Sequence, residues 1–352
     1  MNSSSRRRRG QSIADFLAGA WRDRQAMLDT SPAELELIAT ILYDSGAAGL
    51  AWWRIRDSAL KSTSTGNVLH QAYRLQALQS AIREERTIAA FRLLRGAGIE
   101  PILIKGWAVA RFYPHPTLRA YGDIDLLVNR AEYSAGRRAL DQTEAGSWWI
   151  DLHSEVSELR NRPWEELFAR SRIENLRETR VRVLCPEDSL ALLSIHFFKH
   201  GAWRPSWLCD IALMIESLPP RFDWNLCFGS NQCRASWIAS SIVLAHTLLG
   251  AQIDAVPLSA QARDIPDWLI EATLKQWGNL HSRDHLPVQP RPLFARSLRS
   301  PRNLLKEVRE RWPDPITATF NLNGRVVTFP RFPYQIGAFA LQAGQYLLGK
   351  AL

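Results

Sequence analysis

Two aspartates separated by one residue stand in a short apolar segment, Gly122–Val128, with the sequence GDIDLLV. This composition predicts a buried strand. Residues i and i+2 of a strand point to the same face, so Asp123 and Asp125 would present their carboxylates side by side. Aspartate is depleted in strands, and the two charges repel unless cations lie between them. Hard divalent cations such as Mg²⁺ prefer oxygen ligands, so the pair predicts a metal site.

A second predicted strand, Trp148–Val156, repeats this pattern with Asp151 and His153 on one face. If the two strands are neighbours, Asp151 lies beside the aspartate pair. Three carboxylates can hold two metal ions about 3.5–4 Å apart, the arrangement used for in-line phosphoryl displacement. Glu155 and Glu158 are nearby acids that could take the place of Asp151, and the sequence leaves open whether His153 faces the cleft or has a structural role.

A lysine and a glycine join a third predicted strand, Ile99–Lys105, to a short predicted helix, Trp107–Tyr113. Glycine permits a tight turn and the close approach of a ligand to the backbone. The N-terminus of the helix offers free N–H groups to a phosphate, and Lys105 adds a positive charge. The turn at Lys105 and Gly106 therefore predicts phosphate binding next to the metal site.

Together these residues resemble the nucleotidyltransferase superfamily that includes DNA polymerase β. More specifically, residues 70–220 are similar to the bacterial uncharacterised nucleotidyltransferase family. The positions that match its motifs are Lys105–Gly106, Tyr113–Pro114, Arg119, Gly122–Val128, Asp151–His153, His196, Lys199–Gly201 and Trp207–Asp210. One departure is Trp107, where the wider superfamily often has serine. A hydroxyl contact to phosphate is lost there, and the indole could pack or stack instead.

The resemblance implies an enzyme that transfers a nucleoside monophosphate from an NTP, such as ATP, to an acceptor with Mg²⁺ or Mn²⁺ as cofactor. Asp123, Asp125 and Asp151 would be the catalytic metal ligands. The residues expected to bind the nucleotide are Lys105, Gly106, Arg119, Gly122 and Lys199. A small-molecule or peptide acceptor is favoured because no RNA-binding module is recognisable. An RNA- or tRNA-end nucleotidyltransferase and a non-catalytic nucleotide-binding protein on the same fold are the alternatives.

Several polar residues of the later helical segment have two interpretations. Lys199 either reaches the nucleotide phosphates or interacts with the C-terminus of its own helix. His196 and His200 stand at i and i+4, which resembles a zinc pair, but no glutamate of an HExxH motif accompanies them and a zinc site is not expected. Asp210 either shapes the site or, as the favoured interpretation, caps a neighbouring helix.

The elements that must position these residues predict an α/β (α+β) fold. A small mixed sheet forms the nucleotidyltransferase core at residues 99–185, between an N-terminal helical region at 11–98 and a helical lobe at 186–283. Residues 1–10 are expected to be a disordered basic tail, and 284–352 a linker with a C-terminal helical segment. Further predicted elements are helices at Val68–Arg95, Arg130–Gln142, Leu190–His200, Trp207–Leu218, Ala235–Leu249 and Arg302–Arg311, a strand at Val181–Leu184, a linker at Ser62–Gly66 and a hairpin around Asn321–Gly324.

The composition excludes several protein classes. With 46% hydrophobic and 22% charged residues among 352, the chain is neither disordered, fibrous nor a disulfide scaffold. The net charge of +9 suits anionic partners, although 38 of the 44 basic residues are arginine, which GC-rich codon bias also explains. We expect a cytoplasmic protein without a secretory signal. The four cysteines form no CxxC motif, no apolar stretch is long enough to span a membrane, and no apolar segment follows Arg6–Arg9.

Overall fold

The computed structural model describes residues 3–259, 263–279, 308 and 311–347. Helices dominate this part of the chain, and they surround one small sheet. The α-helices are α1 (Ser3–Leu17), α2 (Pro32–Asp44), α3 (Ala48–Ile55), α4 (Ser64–Gly96), α5 (Trp107–Ala110), α6 (Tyr133–Asp141), α7 (Trp164–Arg170), α8 (Pro186–Lys199), α9 (Pro205–Glu216), α10 (Trp224–Phe228), α11 (Gln232–Leu249), α12 (Asp267–Trp277), α13 (Pro315–Asn321) and α14 (Phe332–Leu347). The strands are β1 (Ile102–Leu103), β2 (Ile124–Leu127), β3 (Ile150–His153), β4 (Arg172–Leu176) and β5 (Thr179–Val183).

The five strands form one mixed sheet in the order β3-β2-β1-β5-β4. The β2 and β3 strands are parallel, β1 is antiparallel to β2 and parallel to β5, and β4 is antiparallel to β5. A small mixed sheet with helical lobes confirms the predicted α+β fold class.

The alternation of side chains along β2 divides the molecule into two cores. Ile124 and Leu126 pack into the smaller core, which also contains Phe91 of α4. Leu127 belongs to the larger core, which is built mostly from the helical lobes. Because successive strand residues point to opposite faces, Asp125 lies on the same face as Leu127, towards the helical lobes.

Helix α6 connects β2 to β3 and brings the second strand back beside the first. Glycine at position 136 allows α6 to approach the sheet closely, because a Cβ there would lie 3.3–3.4 Å from side chains of Leu94, Ile99 and Leu152. The crossover makes β2 and β3 parallel neighbours, as such connections require an intervening helix or a long loop. The prediction that Asp151 lies beside the aspartate motif depended on this pairing.

The N-terminal helices and the later helical lobe share the larger core. Trp21 follows α1, and Trp237 of α11 and Trp277 of α12 are each at most 1% exposed in the same cluster of buried side chains. Large aromatic side chains bury the most apolar area per residue. The two helical regions therefore stabilise each other, although they are distant in the sequence.

The prediction of a disordered tail is wrong for residues 3–10, which form the first half of α1. Gly10 packs against the backbone of α12, where a Cβ would lie only 1.9 Å from the carbonyl oxygen of Leu274. The buried Arg9 donates to the carbonyl of Gly278 at 3.1 Å, and Arg7 pairs with Glu271. The run of arginines thus has acceptors on α12, which the local sequence could not reveal.

Other local predictions also need correction. The predicted Ser62–Gly66 linker contains the start of α4, and Thr63 caps that helix by accepting a hydrogen bond from the Gly66 N–H. Asn321–Gly324 is the end of α13 and a turn, without a strand among the described residues around it. The predicted strands also omitted β4, while most of the predicted helix at Arg302–Arg311 lies outside the described residues.

The remaining predicted helices and strands are observed with ends shifted by a few residues. Ser31 caps α2 through a capping box with Glu34. Within the described part of the chain, no helix is both long enough and apolar enough to traverse a lipid bilayer.

Candidate active site

The parallel pairing of β2 and β3 places two of the predicted metal ligands in register. Asp125 of β2 is the direct partner of Asp151 of β3, and residues in register on parallel strands point to the same face. The Asp125 side chain is 2% exposed, whereas that of Asp151 is 59% exposed. One carboxylate is therefore buried at the base of the site, and the other faces solvent at its mouth.

Two basic side chains hold the buried carboxylate. Lys105 Nζ lies 2.8 Å from Asp125 Oδ1, and His153 Nε2 lies 3.2 Å from the same oxygen. Burial alone would raise the pKa of the Asp125 carboxyl, but the hydrogen bond from His153 and the charge of Lys105 hold that pKa below its ordinary value. Asp125 is therefore an ionised carboxylate, although it is almost completely buried.

The donor atoms on this edge of the sheet suit a divalent cation. Oxygens of Asp125 and Asp151 and a ring nitrogen of His153 lie within 4.8 Å of one another. His153 Nε2 is also 3.3 Å from Asp151 Oδ2, so it faces the cleft between the two acids. Carboxylate oxygens suit hard divalent cations, and imidazole nitrogen suits transition metals, so the three donors together fit a divalent metal ion.

Asp123 lies outside this group of three donors. Its side chain is exposed, and β2 begins only at the following residue, Ile124. Its negative charge acts instead on two arginines, Arg83 of α4 and Arg204. Of the three predicted carboxylates, the structure thus brings Asp125 and Asp151 together directly, with Asp123 beside them at the mouth of the site.

The turn before α5 has the conformation that the glycine was expected to supply. Gly106 has φ 63° and ψ −121°, a region that other residues rarely adopt. A Cβ there would lie 3.2 Å from the ring of Tyr121. The following Trp107 is 7% exposed and belongs to the smaller core. Of the two roles considered for this indole, packing is therefore the one observed.

Arg119 lies beneath this turn. Its side chain is 8% exposed, and its Nε lies 2.9 Å from both carboxylate oxygens of Asp210 in α9. Its Nη1 donates to the carbonyl oxygen of Gly106 at 3.3 Å. Burial alone would lower the pKa of Arg119, but the Asp210 charge raises it above its ordinary value. Arg119 therefore positions the turn, and its contact with a triphosphate stays a prediction.

Asp210 does not have the capping role that the sequence favoured. It lies in the middle of α9, where it accepts hydrogen bonds from Arg119 and, at 2.9 Å, from the hydroxyl of Tyr113. This buried network joins the helical lobe to the turn at Gly106. Asp210 thus shapes the site, which is the alternative that the sequence analysis considered second.

Lys199 belongs to a second polar cluster on the helical side of the cleft. Its Nζ donates to Ser157 Oγ at 2.7 Å and lies 3.1 Å from Glu158 Oε1. His196 Nδ1 lies 3.1 Å from the same carboxylate oxygen. Burial would raise the pKa of Glu158, but His196 and Lys199 lower it far below its ordinary value. Lys199 is thus ion-paired with Glu158, and its contact with the nucleotide phosphates stays a prediction.

The cluster contains a zinc-like donor set that the sequence could not show. Atoms of Glu158, His196 and His200 lie within 4.8 Å of one another, so a glutamate from another element joins the histidine pair. Lys199 already contacts the glutamate, however, and a cation at that oxygen opposes a second one. The charges of Lys105 and Asp125 act on the pKa of His196, so the cluster lies within electrostatic reach of the carboxylate site.

Sequence reasoning missed two arginines at the mouth of the site. Arg83 Nε donates to the carbonyl oxygen of Gly122 at 3.2 Å, which fixes the backbone beside Asp123. Arg204 immediately precedes α9 and also feels the charge of Asp123. Among 38 arginines no local pattern distinguishes these two. Gly122 itself is open, because a Cβ there would meet no atom within 4 Å.

Comparison with known proteins agrees with this geometry. The family model described as uncharacterised nucleotidyltransferase matches the chain twice, at residues 31–146 and 136–250. These matches include every residue of the site described above. Neither the curated proteins nor the solved structures provide a significant match.

Proposed function

The chain belongs to the uncharacterised nucleotidyltransferase family, and we propose that it transfers a nucleoside monophosphate from an NTP to an acceptor hydroxyl, releasing pyrophosphate. The observation that carries this proposal is the register of Asp125 with Asp151 across β2 and β3. Beside these acids lie Lys105 and the strand-to-helix turn at Gly106. Acidic metal ligands next to a phosphate-binding turn are what phosphoryl transfer requires.

In this proposal Asp125 and Asp151 would hold a divalent cation, and Asp123, which lies outside their donor group, would contribute a further carboxylate to a second one. When bound, these ions would neutralise charge that develops on the transferred phosphoryl group and on its leaving oxygen. The low pKa of Asp125 supports the role, because the carboxylate is ionised without a metal present. Asp151 is the more exposed of the two in-register acids. We therefore assign it to the side of the site where the acceptor binds, and there it accepts the proton of the attacking hydroxyl.

Lys105 and the turn at Gly106 are assigned to the triphosphate. We assign Lys105 Nζ, which bonds Asp125 in the structure, to a phosphate oxygen of the nucleotide. The backbone N–H groups of Ala108 and Val109 bond to the carbonyls of Lys105 and Gly106, so we assign the added donor at the start of α5 to the Trp107 N–H. Arg119 contributes to phosphate binding indirectly, because its hydrogen bond to the Gly106 carbonyl fixes the turn.

The acceptor in this proposal is a small molecule or a peptide. An RNA end is the second candidate, and the net charge of +9 is the observation that favours it. RNA binding whose affinity falls steeply with salt would support that candidate. Absence of RNA binding at low salt would exclude it.

The proposal is tested by incubating the protein with each α-labelled NTP, Mg²⁺ or Mn²⁺ and an extract of metabolites and peptides. Mass spectrometry then identifies products that have gained a nucleotide. Release of pyrophosphate that depends on the extract supports transfer. A protein that binds NTPs but never releases pyrophosphate would instead be the non-catalytic nucleotide-binding protein.

A further inference from the structure

Among the residues that the structure describes, no carboxylate is in direct contact with Arg204. It occupies the N-cap position of α9, and its guanidinium lies over the rings of Trp203 and Trp207, at 4.5 and 5.0 Å from their centroids. Its Nε is shielded from solvent and has no hydrogen-bond partner among the described residues. The aromatic faces therefore hold the side chain in place and leave its donors unused.

Three other arginines contrast with this arrangement. Arg119, Arg22 and Arg170 each bond a carboxylate of Asp210, Glu216 or Asp188. A shielded Nε–H without such a partner carries a desolvation cost, which native proteins usually offset with an acceptor. Arginine stays protonated in proteins, so Arg204 cannot avoid the cost by becoming neutral. This indicates an acceptor that the described part of the chain does not supply.

The surroundings of Arg204 identify the direction from which that acceptor comes. Burial lowers the pKa of Arg204, the charge of Asp123 opposes this effect, and the charge of Arg119 adds to it. Arg204 therefore lies within electrostatic reach of the aspartate motif and of the residue that holds the Gly106 turn. An anion bound between that turn and the start of α9 would meet Arg204.

We propose that Arg204 binds the polyphosphate of the nucleotide, as a fork-shaped donor on the helical side of the cleft. This inference rests on the proposed function for the identity of the ligand. Planar guanidinium donors match phosphate oxygens in pairs, which a lysine cannot reproduce. Arg204 thus closes the phosphate site opposite Lys105, and the two tryptophans keep its guanidinium in position.

The test uses pyrophosphate with Mg²⁺ as the probe, because it carries the phosphate chemistry without a base or an acceptor. Calorimetry compares the wild type with R204M, R204K and the control R221M, which changes an exposed arginine. Hydrogen bonds to a charged group contribute enough that R204M should bind about tenfold to a hundredfold more weakly. R204K should fall between R204M and the wild type, and R221M should match the wild type.

Thermal unfolding separates binding from a structural role. Since R204M removes a shielded charge without a partner, its melting temperature should equal or exceed that of the wild type. A melting temperature several degrees lower would indicate a structural arginine and overturn the proposal, as would R204M affinity within twofold of the wild type. Transfer activity is measured separately. If the wild type transfers nucleotides but R204M binds pyrophosphate as tightly as the wild type, only this inference is refuted. If pyrophosphate binding depends on Arg204 but no nucleotide is transferred, only the proposed function is refuted.

Discussion

The buried pair of Arg119 and Asp210 offers the sharpest test of how the helical lobe supports the turn at Gly106. Replacing Asp210 with asparagine keeps the shape of the side chain and removes its charge. Arg119, only 8% exposed, would then be a buried cation without its carboxylate. Breaking a buried ion pair by removing one partner costs about 3–5 kcal/mol. Asparagine can still accept from the Tyr113 hydroxyl, so we expect a loss near the lower end of that range.

This loss is large compared with the stability of a typical domain, which is about 5–15 kcal/mol. Urea unfolding followed by circular dichroism measures the free energy of unfolding of both proteins. Its dependence on urea concentration should be the same in both, because a change in that slope would indicate a different unfolding transition. The matched control is D141N, because Asp141 forms an exposed pair with Arg137 at 3.0 Å on the surface of α6. Exposed pairs contribute at most about 1 kcal/mol, so D141N should unfold like the wild type.

A double variant tests the physical reason behind the expected loss. Combining R119M with D210L removes both charges from the same buried place. If the cost of D210N comes from an unpaired cation, the double variant should recover much of the stability, since apolar replacements of buried pairs are often neutral or better. The reasoning is refuted if D210N costs no more than D141N, or if the double variant is less stable than D210N.

Three further predictions concern other parts of the cleft. Substituting Gly106 with alanine should lower stability by about 1–2 kcal/mol and weaken NTP binding, because φ is 63° and the new Cβ would lie 3.2 Å from Tyr121; nucleotide titration and urea unfolding check both, and wild-type binding by G106A would contradict the role of the turn. Because the pKa of Glu158 is lower in the folded protein than its ordinary 4.5, its carboxylate stabilises the fold above that value, and this contribution is lost as the pH falls through the folded pKa. Wild type and E158Q should therefore differ in urea midpoint near pH 7 and converge in acid, and a difference that does not depend on pH would show that the ion pairs of Glu158 are not its cause. Replacing Lys105 with methionine removes a bond that lowers the pKa of Asp125, so that pKa should rise in K105M, and an NMR titration of the Asp125 carboxyl in which it does not rise would contradict the assignment.

The centre of the site was predictable because its parts obey local rules. The period of two along a strand placed Asp151 and His153 on one face, and the glycine at 106 indicated a tight turn. Whether the two acidic strands are neighbours was left open by the sequence. The structure shows that they pair in parallel, with Asp125 in register with Asp151.

The supporting contacts could not be predicted, because they join residues far apart in the sequence. Asp210 lies 91 residues from Arg119, and Lys199 lies 41 residues from Glu158. Neither separation leaves a periodic pattern, and both partners are common residue types. The N-terminal arginines had the same difficulty, since their acceptors lie on α12, more than 260 residues away.

The central claim is that the carboxylates of β2 and β3 carry out nucleotide transfer. The most direct measurement is pyrophosphate release from an NTP with Mg²⁺ and a competent acceptor, compared between wild type, D125N, D151N and a variant with both Asp123 and Asp125 changed to alanine. We predict that each variant loses at least about a hundredfold in rate, as the removal of a group that stabilises developing charge usually does, while D141N retains wild-type activity. Wild-type release by the Asp123 and Asp125 double variant would contradict the account.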